Sequence, residues 1–392
     1  MTEHDKNEER RTIFSSPDGR ERVVHLTTAH APFDPRVFHK QLVTLAEAGY
    51  DAHLIVPHNE VERRKGISIH PLPEPADRRQ RLALQPLLFQ KARALGADLY
   101  QFHDPELIPL AFLLKKITGT PVVYDMHEDY RSKGPFLGRA LRLLERWCFR
   151  WIDHVLFAEK SYHSIVENCD VDCTYIANYF KPIGEAPLVK REAGSRREGQ
   201  PFQLIYTGTL SDQRGLRTML DLAGAIREQG REETINLVGI CRSSDQRARA
   251  EERIRGKELD PIVNRVGWET YVSPKEMPPY YHQADIGLAL LESHPNYVGS
   301  LPTKFYEYLH YDLPIICSDF PLWRKFIEKH ECGEVVPPGN VEAVIDVLTE
   351  WRSHPNRYCQ YKENTRQAAQ QYQWKEMGKR LVDIYQTILR EG

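Results

Sequence analysis

Apolar runs of strand length alternate with amphipathic stretches through the first half of the chain. RVVHLTT (22–28) reads as a buried strand, and VFHKQLVTLAEAG (37–49) as a helix closed by Gly49. DAHLIVP (51–57), DLYQFHD (98–104), PVVYDMHED (121–129), DHVLFAEK (153–160) and CTYIANYF (173–180) are further strands. A helical LIPLAFLLKKITG separates the strands at 98–104 and 121–129. Strands spaced by amphipathic helices imply parallel βα units.

The alternation stops at KPIGEAPLVKREAGSRREGQPF (181–202), which is rich in Pro, Gly and charge and reads as a linker. It restarts with FQLIYTGTL, a helix from Gly215 to Gln229, TINLVGI, VNRVGW, ADIGLALLE, PIICSDF and GEVVPPG. The chain ends in helical stretches, GNVEAVIDVLTEWRSH and YQWKEMGKRLVDIYQTILREG. The expected fold class is α/β, with two Rossmann-like, doubly wound parallel-sheet domains facing a cleft. The divisions are residues 1–185, residues 186–370, and a last helix at 371–392.

Composition narrows the class. Hydrophobic residues make up 41% and charged residues 28% of 392, ordinary for a globular protein. A net charge of −2, from 53 basic and 55 acidic residues, argues against nucleic acid as the main partner. The first twenty residues are polar and charged, unlike a signal peptide, and the longest apolar run, LIPLAFLL, is too short to span a bilayer. A cytoplasmic location is expected. Seven scattered cysteines read as reduced thiols; Cys169 and Cys173 are close, but no second pair completes a zinc site.

In open parallel sheets, ligands bind beyond the carboxyl ends of the strands, where strand order reverses. That rule selects AHAPFDPR (29–36), HDPE (103–106) and HEDY (127–130) in the first half, and TGTLSDQRG (207–215), GWETY (267–271) and ESHPNYVGSLPTK (292–304) in the second. Gly208 and Gly215 permit close backbone approach, and Arg214 adds charge before a helix. SLPTK places Pro302 in a first helical turn, with the N–H groups of Thr303 and Lys304 and the lysine ammonium favouring an anion. Glu307 shares their helix face. A carboxylate beside a phosphate site makes sense if it accepts hydrogen bonds from a diol such as ribose. The plain alternative is a surface Lys–Glu pair on an amphipathic helix.

Taken together, the motifs "H-x-P-F-D-x-R-x-F-x-K" (His30 to Lys40), "FHDPEL", "YDMHED", "LPTKFYEYL…LPIICSDF", "CGEVVPPGN" and "YQWKEM" resemble the family-4 retaining glycosyltransferases of the GT-B fold, in a bacterial polysaccharide-synthesis branch. The resemblance runs from about Val23 to about Leu389. It implies a nucleotide-sugar donor held by the C-terminal domain and an acceptor held mainly by the N-terminal one. The last helix would cross back onto the N-terminal domain. Glu307 matches the glutamate that binds the ribose hydroxyls, and Thr303 and Lys304 match the diphosphate-binding turn. Arg214 falls in the segment that stabilises the leaving diphosphate, and His127 matches a histidine that contacts the donor sugar. UDP is favoured on family frequency, with GDP as the alternative. Gly299 stands where the family has the first of two glutamates eight residues apart; Asn296 or Glu292 are the candidates to replace it.

The implied chemistry is transfer of a sugar to a hydroxyl of a glycan, glycolipid or small molecule with retention, catalysed by His127, Arg214 and Lys304. No cofactor or metal is expected, since Arg214, Lys304 and helix N–H groups can meet the leaving-group charge. His127 has a structural alternative, bonding a loop backbone. Asp34, Arg36 and His103 are candidates for acceptor binding; Asp34 and Arg36 could equally pair at a helix start, and Asp104 could cap a helix. Asp170-Val171-Asp172 mimics a metal-binding Asp-x-Asp but reads as a surface turn. Arg139, Arg142, Arg146 and Arg150 form a basic helical stripe beside Leu143, Leu144, Trp147 and Trp151. It suits either an anionic membrane surface near a lipid-linked acceptor or a solvated face packed on its own domain. Competing classes are a sugar-nucleotide epimerase or hydrolase of the same fold, and a non-catalytic donor-binding subunit.

Overall fold

The computed structural model describes residues 19–127, 143, 145–167, 169–184 and 200–391. The chain forms two compact units, Met1–Lys181 with Trp374–Gly392, and Pro182–Gln373. The first unit is built on strands β1 (Arg22–Leu26), β2 (Asp51–Pro57), β3 (Glu62–Arg64), β4 (Ile67–Leu72), β5 (Leu99–Phe102), β6 (Val122–Met126), β7 (His154–Phe157) and β8 (Cys173–Tyr175). They lie in the order β3-β4-β2-β1-β5-β6-β7-β8, parallel except for the β3–β4 pair.

Both faces of this sheet are buried, so its strands read as continuous apolar runs. Val24, Leu26, Tyr100, Phe102, Tyr124 and Met126 pack on one face, with residues of the helices Gln85–Leu95 and Ile108–Thr118. Val23, Leu99 and Val123 pack on the other, with the helix Val43–Glu47 and the final helix Trp374–Glu391. The Trp374 indole donates to the Thr44 hydroxyl (2.8 Å) and its backbone N–H to the Phe180 carbonyl (2.9 Å). The final helix therefore belongs to the first unit, although the second intervenes in sequence.

The second unit has β9 (Gln203–Thr207), β10 (Thr234–Val238), β11 (Val263–Val266), β12 (Ile286–Ala289), β13 (Ile315–Ser318) and β14 (Gly333–Val336), all parallel, in the order β11-β10-β9-β12-β13-β14. Strand order reverses beside β9, and likewise beside β1 in the first sheet. The carboxyl ends of β9 and β12, and of β1 and β5, are therefore the places where each fold leaves a crevice.

Three local features differ from the sequence reading. β3 and β4 form a hairpin that was not expected, turning through Lys65 (φ 50°) and Gly66 (φ 80°). Two left-handed residues make the tight turn that suits strand twist. Charged ERR disguises β3, an edge strand, and Pro71 breaks the β4 pattern past the three residues that pair with β3. The helix expected over 37–49 starts earlier, with wide turns over Pro35–Leu42 in which the His39 N–H reaches the Asp34 carbonyl (3.2 Å), before regular helix at Val43–Glu47. Pro302 is not in a first helical turn: at φ −67°, ψ 137° it is the residue before the helix Thr303–His310. Most of the linker, 185–199, and Arg139, Arg142 and Leu144 lie outside the described residues.

Candidate active site

In the second unit β9 ends at Thr207 and the chain turns at Gly208, whose φ of +114° strains any other residue. Nothing lies within 4 Å of where its side chain would stand, so the backbone borders open space. Arg214 ends a single 3₁₀ turn, Asp212–Arg214, capped by Ser211. Gly215 follows at φ +83°, and a Cβ there would lie 1.9 Å from the Leu290 carbonyl oxygen. Only glycine lets the loop after β9 pass this close to the end of β12. The Arg214 guanidinium sits 5.7 Å from the centre of the Tyr297 ring.

The helix Thr303–His310 opens beside this loop. Its first N–H groups, those of Thr303 and Lys304, have no acceptor within the helix. Lys304 is 6% exposed, with Nζ 4.4 Å from the centre of the Tyr206 ring. Burial, followed by the nearby Arg214 charge, brings its pKa down to about 7, against the opposing pull of Glu307. One turn on, Glu307 Oε2 accepts from the Tyr281 hydroxyl (2.6 Å) and the Thr207 hydroxyl (3.3 Å). Tyr281 is stacked on Tyr311 at 4.4 Å, and burial together with Glu307 raises its phenol well above the usual range. It is therefore a fixed donor. Among the described residues both bonds fall on Oε2, leaving Oε1 to accept from a ligand. The loop, helix and carboxylate together offer N–H groups and two cations to an anion, with an acceptor for a diol beside them.

Gly299 is exposed, has no left-handed φ, and a Cβ would meet only the Pro295 carbonyl at 3.6 Å. The backbone thus does not require glycine there. Glu292 accepts a bond from the Thr218 hydroxyl at 3.0 Å, while the Asn296 side chain lies outside the described residues.

In the first unit the chemistry lies on one face of three neighbouring strands. His25 lies in β1 with Thr27 just after it, Gln101 in β5 with His103 just after it, and Asp125 in β6 with His127 just after it, each pair two residues apart and so on one side of the sheet. Asp125 is fully buried and held by Arg36 through Nε (2.9 Å) and a terminal nitrogen (2.6 Å), by Gln41 (3.0 Å) and by His103 Nδ1 (3.0 Å). Burial opposes its charge, but Arg36 and the hydrogen bonds of His103 and His127 keep the carboxyl well below its ordinary range. His103 Nε2 meets His25 Nδ1 (3.0 Å), His25 Nε2 meets the Tyr385 hydroxyl (3.0 Å), and Tyr385 donates to Gln101 (2.6 Å). Burial lowers both histidine pKa values, so this interior chain is neutral apart from the Asp125–Arg36 pair.

At the edge of this network, His127 Nδ1 faces the Asp125 carbonyl (3.0 Å), and its Nε2 lies 3.0 Å from His30 Nε2. His30 is also close to Asp34 (3.6 Å) and Asp104 (3.5 Å). Asp34 accepts from the N–H groups of Arg36 (2.8 Å) and Val37 (2.9 Å) and so caps its helix. Asp104 instead accepts from the Thr27 hydroxyl and from the Thr28 N–H (2.6 Å). Of the sequence candidates, Asp34 and His127 keep partial exposure, with side chains 23% and 11% exposed. Arg36 and His103 are buried at 4% and 2%, with their donors committed inside the protein; direct acceptor contact through them meets that obstacle. His103, Asp125 and His127 are near enough to share a cation, yet Arg36 already occupies the Asp125 carboxylate, so the donor set does not suit a metal. Asp170 and Asp172 are exposed on the turn before β8.

Several contributors were not singled out from sequence: Tyr206, Thr207 and Tyr281 in the second unit, and His25, Gln101, Asp125 and Tyr385 in the first. The available signal was the polar pairs at alternate positions of otherwise apolar central strands, since a buried polar group needs partners.

Residues 35–168 match the glycosyl transferase 4-like domain, and residues 190–368 match the glycosyl transferases group 1. A phosphatidyl-myo-inositol mannosyltransferase of Mycobacterium leprae is 20% identical over 299 residues, covering 75% of each chain. Sucrose-phosphate synthase from Thermosynechococcus elongatus superposes with a TM-score of 0.73 at 15% identity, over 95% of this chain and 100% of that one. Anabaena HepE, in complex with UDP and glucose, gives 0.71 at 14% identity, over 94% and 100%. Among the described residues no helix is long and apolar enough to cross a membrane. Two family matches in tandem, on two doubly wound sheets, lead to one conclusion: the chain belongs to the family-4 glycosyltransferases of the GT-B fold and is a glycosyltransferase.

Proposed function

We propose that the enzyme moves a sugar from a nucleoside diphosphate sugar, UDP-linked rather than GDP-linked, to a hydroxyl of a glycan, glycolipid or small molecule, with retention of anomeric configuration. The observation that carries this reading is the Glu307 carboxylate, oriented by Tyr281 and Thr207 on the same helix whose N-terminus presents Thr303 and Lys304. A carboxylate that close to an anion site is explained by a ligand carrying both a diphosphate and a ribose diol. The UDP preference draws on the family and on HepE, whose structures hold UDP.

In the reaction, the bond from the anomeric carbon to the diphosphate oxygen breaks as the acceptor oxygen bonds to the same face of that carbon. The acceptor proton passes to an oxygen of the leaving diphosphate, with no protein nucleophile. Arg214, Lys304 and the helix N–H groups stabilise the charge on the leaving group, so the step runs without metal. We assign His127 to the reacting sugar and Asp34 to the acceptor, with Arg36 and His103 acting through Asp125 to hold His127.

The test is incubation with a panel of nucleotide sugars, with and without cell lipid extract. Acceptor-dependent release of nucleotide that survives excess EDTA supports the proposal. Release of an altered nucleotide sugar would point to an epimerase, and binding without turnover to a donor-binding subunit. Loss of turnover with chelator, restored by Mg²⁺ or Mn²⁺, would overturn the metal-free step.

A further inference from the structure

A large apolar facet stands on the surface of the first unit. Leu113 (45% exposed) and Ile117 (42%) are one turn apart on the helix Ile108–Thr118; Leu143 (66%) and Trp147 (47%) share the same spacing on the segment that follows residue 142. Phe112 joins the two, its ring 5.3 Å from both Trp147 and Trp151. The sequence stripe is thus only half explained by packing: Glu145, Cys148 and Phe149 are buried, whereas Leu143 and Trp147 face outward. Soluble surfaces carry single exposed apolar residues freely, but clustered Leu, Ile and Trp call for a partner.

The charges around the facet identify that partner. Lys116, Arg146 and Arg150 are exposed, and among the described residues none of them has a carboxylate partner. Lys116 lies over the Trp151 ring at 4.5 Å. Among the described residues, the carboxylates on these segments are already engaged: Asp153 pairs with Lys115 at 2.7 Å, and Glu145 is buried against the Tyr124 hydroxyl. A second copy meeting this face symmetrically would bring like charges together, which disfavours it. An anionic bilayer accepts both components, because Trp and Leu enter the interface while Lys and Arg pair with lipid phosphates.

We propose that the facet of Leu113, Ile117, Leu143 and Trp147, with Lys116, Arg146 and Arg150, docks the protein onto an anionic lipid bilayer. Docking rests on this surface alone and stands whether or not the donor reading holds. It would confine the enzyme to two dimensions, where a lipid-linked hydroxyl is concentrated.

Sedimentation with vesicles tests it, using phosphatidylcholine alone and phosphatidylcholine mixed with phosphatidylglycerol. The protein should pellet with the anionic vesicles and stay in solution with the neutral ones. Each basic side chain at an anionic surface is worth about fivefold in partitioning, so Arg146→Glu with Arg150→Glu should reduce binding by at least about twentyfold. Leu143→Ser with Trp147→Ser should reduce it comparably. Arg146 and Arg150 are exposed, so melting of that variant should be unchanged, while the Leu143 and Trp147 variant should melt slightly lower through the lost Phe112 contact and remain folded. Failure of the wild type to pellet, or retention of binding by both double variants, would overturn the proposal. So would a dimer in ultracentrifugation that Leu143→Ser with Trp147→Ser abolishes, which assigns the facet to a second copy.

Discussion

His30 and His127 meet through their Nε2 atoms at 3.0 Å, so a single proton must lie between them. In the tautomer whose His127 Nδ1–H donates to the Asp125 carbonyl, Nε2 is the acceptor and His30 the donor. The imidazole of His127 is thus held from behind by strand β6 and in front by His30, with its side chain still 11% exposed at the end of the strand.

His127→Ala should leave nucleotide affinity unchanged, because Arg214, Lys304 and Glu307 belong to the other unit. Turnover should fall by about a hundredfold, as expected for one positioned polar group that matters most when charge develops. Normal turnover with the native acceptor would make His127 structural.

Arg36 should behave in the opposite way. Its guanidinium neutralises Asp125 inside the first unit, so Arg36→Ala leaves a buried carboxylate unpaired, at a cost of about 3–5 kcal/mol. Thermal melting should register this loss, with nucleotide affinity preserved in the fraction that remains folded. An unchanged melting temperature accompanied by weaker acceptor binding would restore the direct role that the sequence suggested.

These two residues show where sequence reading succeeds and where it stops. The parallel strands were legible because sheets buried on both faces produce apolar runs, and the loop at 207–215 and the helix start at Thr303 could be singled out because they follow strand ends. The β3–β4 hairpin was hidden by its charged edge. Arg36 and Asp34 are two residues apart, so a local pairing was the natural expectation. The true partner of Arg36, Asp125, comes from a strand 89 residues away, and only the packing of the turns at Pro35–Leu42 against the sheet brings them together. Tyr385 is further still, on a helix that returns from beyond the second unit.

Lys304 should make nucleotide binding pH-dependent. With its pKa lowered to about 7, the lysine is largely neutral in the empty site above that value, and charged in the unfolded chain until its ordinary value of 10.5. Unfolding therefore takes up a proton in this window, and stability rises with pH across it. A bound diphosphate restores the charge, so binding above pH 7 should take up protons and weaken as pH rises. Calorimetry in two buffers of different ionisation enthalpy reads the uptake directly. Lys304→Met should abolish it, weaken the nucleotide, and melt no lower than the wild type because a buried cation is removed. Equal heats in both buffers for the wild type would contradict this linkage.

The central claim is that Glu307 receives the ribose of a nucleoside diphosphate, and calorimetric titration of UDP tests it most directly. Glu307→Gln is the informative variant, because an amide oxygen can still accept from the Tyr281 hydroxyl and keep that buried phenol satisfied. Hydrogen bonds to a charged acceptor are worth about 1.5–3 kcal/mol, so UDP affinity should fall by roughly tenfold to a hundredfold, with the melting temperature of the free protein nearly unchanged. If Glu307→Gln binds UDP as tightly as the wild type, the carboxylate does not hold the ribose and the cradle reading fails.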